Sequence, residues 1–196
     1  MGLSAGERTR LQILEAALLV IAIEGIDSVT HRSVGREAGL SHGVVSYHFP
    51  TRDELIYKSF EHFLGDIQEH QARYGWKPNE KITKRRIIDI LTAEVADELA
   101  DRTMIRVEQE LILYASRRPE LAALYNAWEK DVVDALAGGL TRERFNQPQL
   151  TARILISLVR GFLLESLTNK TLTKRDFRKR ANLLMTTISS QVAELT

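Results

Sequence analysis

Only four prolines, Pro50, Pro78, Pro119 and Pro148, interrupt 196 residues, and each falls where a helical pattern of apolar residues stops or starts. No run alternates apolar and polar residues between turn dipeptides, so strands have no support. The pattern predicts an all-α fold of about nine helices. The first runs from about Thr9 to Glu24, with Ile13, Ala17, Val20 and Ile21 on one face and Gly25 at its end. Thr30 caps a short helix from about His31 to Ala38, Gly39 stops it, and Ser41 caps a third helix that ends near Phe49 and Pro50. Thr51 or Arg52 opens a long fourth helix, with Leu55, Ile56, Phe60, Phe63 and Ile67 on one stripe. After the linker Tyr74-Gly75-Trp76-Lys77-Pro78-Asn79, helices are expected at about 80–99, 102–117, 119–138, 148–169 and 173–195. The chain divides on this pattern into residues 1–50, a connecting helix at 51–74, and a second region at 75–196.

Composition removes several function classes. Lysine and arginine number 27 against 26 acidic residues, a net charge of +1, which excludes a uniformly basic nucleic-acid coat and an acidic tail. Cysteine is absent, and disulfides, thiol catalysis and cysteine-type zinc sites go with it. No apolar run approaches the ~18 residues of a membrane span. The start, MGLSAGERTR, has no apolar core of a signal peptide. These features point to a soluble cytoplasmic protein. A helical enzyme is the rival of another class, but there is no HExxH, no ExxH pair, no glycine-rich phosphate loop and no nucleophile elbow. No metal site and no cofactor are expected.

The stretch Thr30 to Phe49 carries the most information. It reads as short helix, glycine turn, short helix, the layout of a helix-turn-helix. Val34, Ala38, Leu40, Val45 and Phe49 are placed to pack on the first helix, and Gly39 supplies a backbone angle that other residues resist. The helix after the turn then acts as a recognition helix. Its first turn, Ser41-His42-Gly43-Val44, is small enough to enter a major groove. Tyr47 and His48, near its end, suit phosphate oxygens better than base edges.

These residues closely resemble the TetR family of one-component transcriptional regulators. The matching run is Ile13-Leu14-Glu15-Ala16-Ala17, Gly25, Thr30, Val34, Glu37-Ala38-Gly39-Leu40-Ser41, Gly43, Tyr47-His48-Phe49-Pro50 and Glu54-Leu55. It covers about the first 60 residues. The resemblance implies a DNA-binding domain at 1–50, the connecting helix at 51–74, and a helical ligand-binding and dimerisation domain at 75–196. It also implies a homodimer through the last two helices, bound to a palindromic operator as a repressor and released by a small molecule. Matched position by position, Thr30, Tyr47, His48 and Arg52 would contact phosphates. Ser41, His42, Gly43, Val44 and Ser46 would face base edges or sugars. His42 stands where lysine is common in the family, Ser46 where tyrosine is, and Ile21 where phenylalanine is. A ligand-independent or activating regulator of the same type is the alternative. Release would follow from movement of the fourth and first helices, because half-sites one turn apart demand about 34–36 Å between recognition helices.

Residues 1–58 hold six basic and seven acidic side chains, a net −1, so arrangement must outweigh total charge. Arg8 and Arg10 are placed to form an arm, while Arg32 and Arg52 flank the recognition helix. Gly35, inside a helix, reflects close packing, approach to DNA or neutral drift. His62, Asp66 and His70 share a helix face, but surface or interface histidines explain them better than a metal. The basic run from Lys170 to Arg180 fits a solvated face opposite Phe177, Ala181, Leu184, Ile188 and Val192. The helix at 148–169 is apolar nearly all round: Ile154, Leu155, Leu158, Gly161 and Phe162 on one face, Ile156, Leu163, Leu164 and Leu167 on another. One face suits its own domain and the other a partner subunit. Glu108 and Glu165 interrupt apolar stripes. As buried carboxylates they need an arginine such as Arg160 or Arg106, or a donor on a ligand. Met104, Glu108, Leu111, Tyr125, Trp128, Phe162 and Glu165 are the candidate ligand contacts, with ordinary core as the other reading of Tyr125 and Trp128.

Overall fold

The computed structural model describes residues 2–74, 83–142, 145 and 147–193, and the surroundings of their side chains except at 68–74, 142 and beyond 187. The linker from Gly75 to Asn79 and the expected helix start at 80 lie outside the described residues. Among them there are nine α-helices and no strand: α1 (Ala5–Glu24), α2 (His31–Ala38), α3 (His42–His48), α4 (Arg52–Tyr74), α5 (Lys84–Ala100), α6 (Thr103–Ala115), α7 (Pro119–Arg142), α8 (Pro148–Thr168) and α9 (Lys174–Ala193), with one 3-10 turn at Ile26–Ser28. No described helix is long and apolar enough to cross a membrane.

α1 opens at Ala5 rather than at Thr9. The Ser4 hydroxyl accepts from the Glu7 N–H at 3.2 Å, and the Glu7 carboxylate accepts from the Ser4 N–H at 2.7 Å. This reciprocal cap satisfies two donors that a helix start leaves open. The Ser4 backbone N–H, with its hydroxyl, also holds the Glu7 carboxyl below the ordinary range. Arg8 and Arg10 therefore lie within a helix, and the expected arm does not form. α7 likewise continues past 138 to Arg142, because Leu136, Ala137 and Leu140 go on burying apolar surface through Gly138 and Gly139.

The chain forms two compact units that do not follow chain order. The first is Met1–Gln68 with Thr103–Tyr125; the second is Glu69–Arg102 with Asn126–Thr196. In the first, α1 packs on α2 on one side and on α6 on the other. It accordingly buries more than the expected face: Ile13, Ala17, Val20 and Ile21, but also Leu14, Ala16, Leu18 and Ala22. Val34, Val45, Phe49, Leu55, Ile56 and Phe60 are completely buried.

In the second unit α5 packs against α8 and α9, and α8 against α9. Phe177 and Ala181 of α9 are fully buried there, with Phe177 edge-on to Phe162 at 5.4 Å. The α9 stripe expected to meet a partner thus fills its own core at these positions, Leu184 is half-buried, and the side chains of Ile188 and Val192 lie outside the described residues. The basic run is drawn into ion pairs on the solvated side: Arg178 with Asp89 at 2.6 Å and Arg180 with Glu165 at 2.6 Å.

Gly35 has a packing reason. A Cβ there would lie 2.9 Å from the Leu40 carbonyl oxygen, a backbone atom of the turn. Helix propensity alone would favour alanine by ~1 kcal/mol, but overpacking against fixed backbone costs about 1–3 kcal/mol. Gly35→Ala is expected to lower the unfolding free energy by up to about 2 kcal/mol net, read as a lower denaturant midpoint. A more stable variant would show that the turn gives way freely.

Candidate nucleic-acid interface

The helix-turn-helix is built from local chemistry at each junction. Thr30 Oγ1 accepts from the Ser33 N–H at 3.0 Å, and Ser33 Oγ accepts from the Thr30 N–H at 2.9 Å, so α2 starts on a second reciprocal cap. α2 ends on Gly39, whose φ of 66° is left-handed and suits glycine. The next residue closes the turn, with the Leu40 N–H donating to Gly35 O at 2.8 Å. Ser41 then caps α3 by accepting from the Val44 N–H at 3.3 Å. Val45 and Phe49 anchor α3 from beneath.

What the first turn of α3 leaves outward is small or polar. Ser41, His42 and Gly43 are exposed, while Val44, Ser46 and His48 are half-buried. Only Ser41 Oγ, at 3.8 Å, approaches the position of a Gly43 Cβ. Tyr47 is 83% exposed, edge-on to the His48 ring at 5.2 Å. Thr30 and Arg32 are exposed on α2. An aromatic ring so far into solvent contributes little to folding. Tyr47→Ala is therefore expected to keep the melting temperature and to weaken binding to all duplexes by a similar factor, read by titration against specific and unrelated DNA. A loss confined to one sequence would make Tyr47 a base reader.

Arg52 is differently engaged. Its Nε donates to Val29 O at 2.8 Å, its Nη2 to Ile26 O at 2.8 Å, and its Nη1 to the Tyr114 hydroxyl at 3.3 Å. The side chain implied as a phosphate contact is thus a brace that joins α4, the 3-10 turn before α2, and α6. Glu110 on α6 adds to this joint, accepting from the Ile26 N–H at 3.3 Å. Nothing in the sequence singles out Glu110 and Tyr114, because partners so distant along the chain leave no local pattern. Nor does it point to three donors to the helix ends. Arg10 Nη1 donates to His48 O at 3.2 Å, Gln12 Nε2 to Ala38 O at 2.7 Å, and His31 Nε2 lies 2.7 Å from Phe49 O.

The candidate ligand contacts fall in both units. In the first, Met104 and Glu108 are half-buried on α6, Leu111 is fully buried, and Tyr125 stacks on Phe60 at 6.2 Å. In the second, Trp128 lies beneath the Arg160 guanidinium at 5.7 Å, and Phe162 is in the core. Glu165 corrects an expectation. It is exposed, and both its oxygens accept from Arg180, at 2.6 and 3.2 Å, which holds its carboxyl below the ordinary range. Arg160, the partner considered for it, bonds Glu129. His62 Nε2 lies 3.3 Å from Asp66, and the His70 side chain is outside the described residues. Among the described residues no three His, Cys, Asp or Glu side chains converge on a metal-sized site.

Known proteins agree with this geometry. The family described as bacterial regulatory proteins, tetR family, matches residues 13–57, and the tetracyclin repressor-like C-terminal domain matches residues 83–189. The chain is 28% identical over 160 residues to the HTH-type transcriptional regulator BetI of Stenotrophomonas maltophilia, covering 79% of each chain. It is 25% identical over 162 residues to the nicotine-responsive transcriptional repressor HdnoR of Paenarthrobacter nicotinovorans, covering 80% of this chain and 82% of the other. Among solved structures it superposes on a TetR-family member from Streptomyces coelicolor with a TM-score of 0.68 at 27% identity, over 90% of this chain and 97% of that one. It also superposes on the multidrug binding protein EbrR, solved with imidazole, with a TM-score of 0.60 at 29% identity, over 89% and 93%. With both halves matched in order and the helix-turn-helix capped and packed as described, the chain belongs to the TetR family of DNA-binding transcriptional regulators.

Proposed function

We propose that this regulator is a repressor that binds a palindromic operator as a homodimer and lets go when a small molecule binds. The observation that carries the DNA reading is the outward first turn of α3, where Ser41, His42 and Gly43 are exposed and nearly free of bulk. Ser41, His42, Gly43, Val44 and Ser46 read bases or adjoining sugars. Thr30, Arg32, Tyr47 and His48 hold the backbone. The test is selection of duplexes from a random pool by the pure protein. The expected product is a two-fold repeat with half-sites one helical turn apart. Transcripts beside such sites should rise when the gene is deleted; a fall would make the protein an activator, and no enrichment would defeat the reading.

Release is proposed to act through α6. Met104 and Glu108 are the effector contacts on this helix, with Leu111 as their support in the core and Tyr125, stacked on Phe60, in the same unit. α6 is joined to the turn before α2 by Glu110 and by Arg52 through Tyr114. An effector that displaces α6 would displace that turn. The names of HdnoR, nicotine-responsive, and EbrR, multidrug binding, support an organic effector. A carboxylate at position 108 favours an amine. Nicotine and related amines are the first probes, scored by thermal stabilisation. A response that Glu108→Gln leaves unchanged would remove Glu108 from the site.

The dimer contact is proposed on α8. Its exposed side carries Leu150, Ser157, Gly161, Leu164 and Thr168, with half-buried Ile154 between, a seam at alternating spacings of four and three. Leu164 is 50% exposed and Leu183 of α9 71% exposed. No atom approaches within 4 Å of a Cβ built on Gly161, so a second helix has room to come close. Leu164→Arg is tolerated by the single chain because the position is open. It is expected to yield a monomer of 22.3 kDa by light scattering, with operator affinity lost, where the wild type weighs twice as much. A dimeric variant would move the contact elsewhere.

A further inference from the structure

The last carbonyls of a helix have no partner inside it. α2 and α3 have eight and seven residues, too short to be stable alone, so their ends must be held by other elements. The donors come from two places. Gln12 and Arg10, two residues apart on α1, reach Ala38 O at the end of α2 and His48 O at the end of α3. The Arg10 guanidinium also lies 4.4 Å over the Phe49 ring. His31, the first residue of α2, meets Phe49 O. A carbonyl only accepts, so His31 Nε2 carries the hydrogen.

The apolar anchors Val45 and Phe49 resist removal of α3 but are non-directional. Hydrogen bonds to carbonyl oxygens are directional. Arg10 and His31 hold the C-terminal end of α3, Gln12 holds the end of α2 from which the chain turns into α3, and the residues that would read bases open α3 at its other end. A seven-residue helix is ~10 Å long, so a tilt of roughly 6° about its held C-terminal end moves Ser41 by about 1 Å. That displacement is enough to spoil paired hydrogen bonds to base edges and too small to affect non-directional contact with phosphate charge.

We propose that Arg10, Gln12 and His31 are positioning residues for sequence reading, which set the tilt of α3 and thereby the discrimination between operator and other DNA. The proposal rests on α3 being the recognition helix. The test uses the full chain, the duplex that the wild type selects from a random pool, and a scrambled duplex of equal length. Affinity for each is measured over a salt series, with melting temperatures alongside. Gln12→Ala and His31→Ala are expected to lose at least tenfold on the selected duplex and less than twofold on the scrambled one, with an unchanged salt slope. His31→Gln, which keeps an amide donor, should recover most of the loss. Equal loss on both duplexes with a salt slope reduced by about one would mark a phosphate contact and overturn the proposal. So would a lower melting temperature with discrimination intact, since that is a purely structural role. Should His31→Ala fail to fold, Gln12→Ala at its exposed position and His31→Gln decide the matter. A wild type that prefers no duplex defeats the recognition reading itself, whereas discriminating variants of a discriminating wild type defeat this proposal alone.

Discussion

Gly43→Glu should reduce operator binding to the level of unrelated DNA, a loss of at least about 10³-fold, while the protein stays folded. Two features make the effects separable. Gly43 is exposed, and a Cβ there meets only the Ser41 hydroxyl at 3.8 Å, an ordinary contact. In the first turn of α3, helix propensity and the helix dipole both favour glutamate over glycine. On DNA, the same side chain brings bulk to the groove floor and a negative charge among phosphates. Fluorescence titration with the selected duplex measures the loss, and thermal melting checks the fold. A folded variant that keeps operator affinity would mean that α3 does not enter the groove with this turn.

Arg52→Ala should destabilise the first unit by about 2–4 kcal/mol, a large effect for a side chain outside the apolar core. The residue donates to Ile26 O and Val29 O and to the Tyr114 hydroxyl, and Val29 is completely buried. Its removal takes the side-chain donor from Val29 O and one of two donors from Ile26 O, which keeps the Val29 N–H at 3.2 Å. The side chain is one-third exposed, so water recovers part of the loss and the upper end of that range is a bound. Arg52→Lys should recover little, because one ammonium cannot span three acceptors held on two other elements. Calorimetry should show a melting temperature lower by on the order of 10 °C. An unchanged melting temperature, with a salt slope of DNA binding reduced by about one, would return Arg52 to the phosphate-contact role that the family resemblance implies.

The helix-turn-helix was legible because its determinants are local. Thr30 with Ser33, Gly39, and Ser41 act within a few residues of the ends they cap, and Val34, Val45 and Phe49 follow helical spacing into the core. The start of α1 carried its own local signal: Ser4 and Glu7 stand three residues apart, the spacing of a reciprocal cap. What local pattern cannot supply is the identity of distant partners. Glu165 interrupts an apolar stripe and so suggested a buried charge, yet Arg180, fifteen residues on, keeps it at the surface. The α9 stripe was recognised as apolar, but whether it faced α5 or a second subunit depended on packing that periodicity does not encode. Arg52 showed the same limit, since its basic character and position fit phosphate while its acceptors lie on two other elements.

The first unit is closed by a segment that arrives late. Glu110 bonds Ile26 across 84 residues of chain. On a ribosome adding ~5–20 residues each second, α1 to α3, complete at His48, would wait roughly 3–12 s for Glu110 and the helix that completes their packing. During that interval the side of α1 that α6 later covers is apolar and open. A nascent chain with this layout is therefore exposed to chaperones and to its neighbours on a polysome. A chimeric regulator cut after α4 would need the grafted domain to supply a helix that covers the face of α1 which Thr103–Tyr125 completes here.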